Sequence, residues 1–268
     1  MRREQRDNGF NPVRTRRVLI YTFLIIMVLM YMSARQQRLD AEAVKRKAHT
    51  DGKVQDVKEN EGSQVLEGAS GLVLTEEEKW SLILTNETHP VPDHYEVNLK
   101  ALPDSEEAVD ERIYDPLMQM MNTAAQQGMP LTVCSGYRTK EKQEELFTLE
   151  MQGYMEQGDD EGTAYAKAKQ SVSVPEAGEH RLGLAVDIYS EAHPALDEAF
   201  GETPEGLWLR EHAPEYGFIL RYDKGKESST GIIYEPWHFR YVGVNAATYM
   251  KEQNLSMEEL YVKESLYE

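Results

Sequence analysis

The stretch G-E-H-R-L-G-L-A-V-D, Gly178 to Asp187, puts a histidine in a glycine-bounded loop and an aspartate inside an apolar run. Leu184 to Tyr189 reads as a strand, and an unpaired carboxylate within it would be costly to bury, so Asp187 needs a cation. Farther along, E-P-W-H-F-R-Y-V-G, Glu235 to Gly243, supplies His238 and, shortly before it, Glu235. Pro236 between them opposes a regular helix, which assigns the pair to a bent strand or turn. Upstream, S-G-Y-R, Ser135 to Arg138, falls where a strand, a turn and a helix meet.

Around these motifs helical and strand patterns alternate, and the fold class is α+β. Ile113, Leu117, Met120, Met121 and Ala124 follow a helical period, with Ser105 near the start and Gly128 placed to end the helix. Pro130 to Cys134 reads as a strand, and Thr139 is placed to cap a second helix that buries Leu146, Phe147, Met151 and Tyr154. Phe218 to Tyr222, Ile232 to Tyr234 and His238 to Val242 read as further strands. Thr203-Pro204 opens a helix that Gly217 follows, and Ser256-Met257-Glu258-Glu259 has capping-box spacing. The expected architecture is a small antiparallel sheet with flanking helices in a single compact domain, residues 72–268.

The part before it differs in composition. Arginines crowd residues 1–17, and an uncharged apolar run follows, so 18–34 is expected to be a transmembrane anchor with the remainder outside the cytoplasm. Residues 35–71 are polar and poor in aromatics, which suits a flexible stalk. The chain carries 29 basic against 47 acidic residues, a net charge of -18, which argues against a nucleic-acid partner. Acidic pairs such as Glu258-Glu259 read as solvated surface. The one cysteine, Cys134, has no intramolecular disulfide partner and reads as a buried strand residue.

Two imidazoles, His180 and His238, with the Asp187 carboxylate suit zinc and leave a fourth position for water, whose pKa the metal lowers to roughly 7. Glu235 is placed to act as general base, and Arg138 to clamp a peptide carboxylate or steady an oxyanion. Each residue alone also fits a structural role, Trp237 reads most simply as core, and the same ligands accept other divalent metals. His49, His89, His94, His193 and His212 have no comparable carboxylate arrangement.

The segment from Trp80 to Gly243 resembles the VanY-like D-alanyl-D-alanine carboxypeptidases. The matching motifs are S-G-Y-R with Gln143 after it, E-H-x-x-G-x-A-x-D from Glu179 to Asp187, G-F-I-L-R-Y from Gly217 to Tyr222, and T-G-I-I-Y-E-P-W-H-F-R-Y-V-G from Thr230 to Gly243. The resemblance implies one zinc ion on His180, Asp187 and His238, and Glu235 as catalytic base. It implies substrate contacts from Arg138, Gln143, Ser135 and Tyr137. The implied substrate is the peptidoglycan stem peptide, cut at its terminal D-alanine by a monomeric enzyme anchored in the bacterial cell membrane. L,D-carboxypeptidases acting on tetrapeptide stems share the pattern. A non-catalytic wall-binding domain with structural zinc, or an interaction module docking through its acidic surface, is the alternative of another class. Glu235, expendable for binding, argues against the wall-binding domain. Where the family usually has Ser two residues before the first zinc histidine, this chain has Gly178.

Overall fold

The computed structural model describes residues 66–67, 72–74 and 78–266, all within one compact unit, Gln64–Glu268. The basic arm, the anchor at 18–34 and most of the stalk lie outside the described residues. Among the described residues no helix is long and apolar enough to cross a membrane.

Two short antiparallel ladders come first. Strand β1 (Leu66–Glu67) pairs with β2 (Val73–Leu74), so pairing begins before residue 72, and β3 (Leu99–Ala101) pairs with β4 (Ala108–Asp110). Helix α1 (Glu111–Gln126) starts directly from β4. Its cap is Asp110, whose carboxylate accepts from Arg112 N at 2.9 Å, and not Ser105, because Ala108–Asp110 is already committed to the ladder. Ile113, Leu117, Met120 and Ala124 on α1 are fully buried. Enclosing the three larger ones stabilises the fold by about 1.5–3 kcal/mol each.

The site is carried by a four-stranded antiparallel sheet of order β5-β6-β8-β7, made of β5 (Thr132–Ser135), β6 (Ala185–Tyr189), β7 (Phe218–Leu220) and β8 (His238–Tyr241). Its register sets Ser135 opposite Asp187, and Asp187 opposite His238, after an irregularity between Val133 and Ser135. Residues distant in sequence thus stand in one row across three strands.

Helix α2 (Lys140–Glu156) is capped as expected by Thr139, which accepts from Lys142 N at 3.2 Å. It buries Phe147 and Gln143, while Leu146, Met151 and Tyr154 are half-buried. Helix α3 (Glu161–Ser171), without a counterpart in the sequence reading, packs on it, with the Tyr165 ring edge-on to Phe147 at 5.4 Å. Helix α4 (Pro204–His212) starts at Thr203, whose hydroxyl accepts from Gly206 N. A helical turn, α5 (Glu227–Thr230), then precedes residues 232–234. These do not form the expected strand: Ile233 N bonds to Gln170 O and Glu235 N to Tyr222 O, singly and without a ladder. Helices α6 (Val244–Gln253) and α7 (Met257–Glu264) close the chain, and the capping box at Ser256 is present. They bury Ala247, Met250 and Leu260 against Leu72, Leu74 and Leu82, so the two ends of the unit share one apolar cluster.

Candidate metal centre

His180 sits in a 3-10 turn, Glu179–Leu182, that ends at Gly183 in the left-handed region, φ 69°. A side chain at Gly183 would bring Cβ to 2.9 Å from Asp110 N, so only glycine closes this turn against α1. The His180 Nδ1 donates to Gly136 O at 2.6 Å, since a carbonyl only accepts. Gly136 itself lies so close to β4 that a Cβ there would meet Ala108 O at 2.3 Å. Glycine at 136 therefore sets the carbonyl that fixes the His180 tautomer.

With its proton on Nδ1, His180 directs the lone pair of Nε2 at Asp187 Oδ2, 3.3 Å away. That nitrogen is buried and has no hydrogen-bond partner. On β8, His238 Nδ1 lies 3.0 Å from Asp187 Oδ1, and its Nε2 lies 3.4 Å from Glu179 Oε2. His180, Asp187 and His238 each offer one ligand atom within 4.8 Å of the others, and all three are buried. A buried imidazole acceptor facing a carboxylate oxygen is unsatisfied without a cation, and two imidazoles with one carboxylate form a fitting donor set for zinc.

The electrostatics agree. Burial alone would raise the Asp187 carboxyl, but His180, His238 and Arg138 outweigh it and hold it well below the usual range. Burial, reinforced by the Arg138 charge, lowers His180. Burial would also lower His238, yet the Asp187 and Glu179 carboxylates raise it to about 9. Glu235, just before the turn that leads into β8, places Oε2 3.8 Å from His238 Nδ1. Burial, opposed by His238, pushes its carboxyl up to about 8.

Asp187, His238 and Glu235 line a cleft of about 360 Å³ whose wall includes Arg138, Gln143, Trp237 and the exposed side chains of Leu149 and Leu196, while His180 does not line it. Arg138 is the only Arg or Lys on that wall among the described residues. Its guanidinium pairs with Asp187 and bonds Ser135 Oγ at 2.8 Å. Gln143 is buried, and its amide donates to Ser173 O at 2.8 Å. Ser135 and Tyr137 do not line the cleft: Ser135 holds Arg138, and Tyr137 donates its backbone N–H to Ala108 O. Trp237 is half-buried and serves both core and cleft. Cys134 is half-buried, not buried, with its thiol bonded to Asp187 O and pushed up to about 12 by burial. Gly178 abuts Gln143, and a Cβ there would stand 3.0 Å from Gln143 Cδ.

Sequence reasoning missed Glu179, Arg221 and Arg240, which meet in a buried cluster behind His238. Both arginines lie on apolar strands or their ends, the same signal that marked Asp187. Glu258, expected on the solvated surface, is buried and bonded to Arg221.

A donor set of this kind, open to a cleft and accompanied by a spare carboxyl, defines a class of mononuclear metallohydrolase centres. Within it the chain belongs to the VanY D-alanyl-D-alanine carboxypeptidase family, whose model matches residues 106–244. It is 40% identical over 185 residues to a D-alanyl-D-alanine carboxypeptidase of Enterococcus faecalis, covering 69% of this chain and 66%, just under two thirds, of that relative. A solved structure of VanYB in complex with D-alanine-D-alanine superposes with a TM-score of 0.64 at 40% identity, covering 69% of this chain and 99% of that one. A vancomycin-resistance D,D-pentapeptidase VanY variant in complex with Zn(II) gives a TM-score of 0.62 at 41% identity, covering 67% and 98%. The LdcB LD-carboxypeptidase gives 0.58 at 32% identity, covering 75% and 94%.

Proposed function

We propose that this protein is a zinc carboxypeptidase that removes the terminal D-alanine from peptidoglycan stem peptides ending in D-Ala-D-Ala. The observation that carries the reading is the convergence of His180, Asp187 and His238 near the Glu235 carboxyl, with Asp187, His238 and Glu235 lining a cleft. A bound zinc supplies a Lewis acid and lowers the pKa of water to near neutrality. Glu235 takes the proton from the attacking water and returns it to the leaving D-alanine amine. Arg138, the cleft's guanidinium, binds the terminal carboxylate of the peptide, for which its planar fork is suited. Gln143 is held by Ser173 O and supports Arg138 through a 3.5 Å contact to its own Oε1. The D,D reading is favoured over the L,D one by identity, 40% to VanYB against 32% to LdcB. The arginine-rich arm and apolar run at 18–34 support a membrane-anchored, extracytoplasmic enzyme.

Release of D-alanine from a stem pentapeptide tests this reading. Activity is expected to vanish with a zinc chelator and to return with one equivalent of zinc. Chelator-resistant release from the purified chain would remove the metal from the mechanism.

A further inference from the structure

The side chain of Glu179 is 0% exposed, and its two oxygens are divided between different partners. Oε1 accepts from Arg221 Nε at 2.8 Å and from Arg240 Nη1 at 2.9 Å. Oε2 is left facing His238 Nε2 at 3.4 Å. Each arginine is pinned in turn. Arg221 grips both oxygens of Glu258 on α7, at 2.9 and 2.7 Å. Arg240 donates to Ser81 O at 2.9 Å and Ile83 O at 2.7 Å.

Burying this many charges is weak as a stability device, since apolar side chains of similar volume often serve as well or better. What the network does that apolar packing cannot do is fix a ring. Both nitrogens of His238 face carboxylates, Nδ1 toward Asp187 at 3.0 Å and Nε2 toward Glu179 at 3.4 Å. A cation shared with Asp187 and His180 would take the place of the Nδ1 proton, and the Glu179 carboxylate then holds the remaining proton on Nε2 and fixes the ring.

We infer that Glu179 is a positioning residue that fixes the tautomer and orientation of His238 so that Nδ1 faces the metal, with Arg221 and Arg240 fixing Glu179. The inference rests on the reading that His180, Asp187 and His238 hold zinc. It also gives a task to segments outside the family match at 106–244. Ser81, Ile83 and Glu258 hold the arginines that hold Glu179.

The division of the carboxylate makes Glu179→Gln a sharp test. Both arginines donate to Oε1, so the amide oxygen of the variant must stay with them and its NH2 must face His238 Nε2–H. Two donors then oppose each other, although shape and volume are unchanged. In the full chain in detergent, zinc affinity measured against a chromophoric chelator is expected to fall about 10- to 100-fold. The visible spectrum of the cobalt-substituted protein is expected to change as well. Glu258→Gln loosens the same network without touching Glu179. It is expected to lower the melting temperature and to weaken zinc binding by a clearly smaller factor than Glu179→Gln, because Arg240 still holds Glu179 Oε1 and the carboxylate facing His238 is intact.

Wild-type affinity and spectrum in Glu179→Gln would overturn the inference, as would an equal loss in Glu258→Gln. Should Glu179→Gln fail to fold, histidine nitrogen-15 spectra of the zinc-loaded wild type decide. Protonated Nε2 and metal-bound Nδ1 at His238 are expected, and the reverse assignment overturns the positioning role. A wild-type chain that takes up no zinc would remove the metal reading as well, an outcome distinct from the others.

Discussion

Replacing Glu235 by Gln should stabilise the zinc-free fold while destroying activity. The carboxyl is only 6% exposed, and burial pushes its pKa from 4.5 to about 8. In the unfolded chain it ionises at its ordinary value, so at pH 7 folding must protonate it or bury its charge. That opposes folding by about 3 kcal/mol. A raised carboxyl pKa weakens the fold only above the unfolded value. The penalty is absent below about pH 4.5, grows as pH rises, and levels off above about pH 8. Gln has the same shape and no such penalty. In urea titrations with chelator present, Glu235→Gln is expected to exceed wild type by about 3 kcal/mol at pH 7, equivalent to roughly 6–12 °C in midpoint. Near pH 4 the two should coincide. With zinc added the gain should shrink, because a neighbouring dication favours the ionised carboxylate. The same variant should retain zinc and lose about 10²- to 10⁴-fold in turnover. Equal stability at pH 7, or turnover near wild type, would refute the reasoning that this carboxyl is kept in an unfavourable place for its chemistry.

Other expectations follow from particular contacts. Ser256→Ala removes the acceptor for Glu259 N and half of the capping box, and should cost about 1 kcal/mol in urea unfolding without changing zinc content. Gly178→Ser keeps an ordinary backbone, φ -69°, but sets a Cβ against Gln143 and must shift it by a few tenths of an ångström. With zinc stoichiometry unchanged, KM for the stem peptide should rise about two- to tenfold, the equivalent of one hydrogen bond. An unaltered KM would detach Gln143 from substrate binding.

Asp187, Glu235 and His238 stood out in the sequence as candidates because of local contradictions: a carboxylate within an apolar strand at Asp187, and a proline splitting Glu235 from His238. The caps at Thr139, Thr203 and Ser256 were legible for the same reason, since capping chemistry is read from a few adjacent residues. Ile232 to Tyr234 misled because an apolar triplet carries strand propensity wherever it lies, while pairing depends on a neighbour the sequence does not name. The start of α1 was misplaced because Ser105 is a good cap in isolation, but the β3–β4 ladder holds the chain until Asp110. Helix α3 escaped notice because its buried face is only Ala164 and Ala168. Glu179, Arg221, Arg240 and Glu258 show the deeper limit. Each looks like an ordinary surface charge or strand interruption until the fold brings them together from positions far apart in sequence.

The most direct test of the central claim is mass spectrometry of the products when the purified protein meets pentapeptide and tetrapeptide stems in parallel, with and without chelator. The account predicts chelator-sensitive loss of a single alanine from the pentapeptide and an intact tetrapeptide. Loss from the tetrapeptide instead would contradict the D,D assignment, and no cleavage of either by folded, zinc-loaded protein would contradict the enzyme itself.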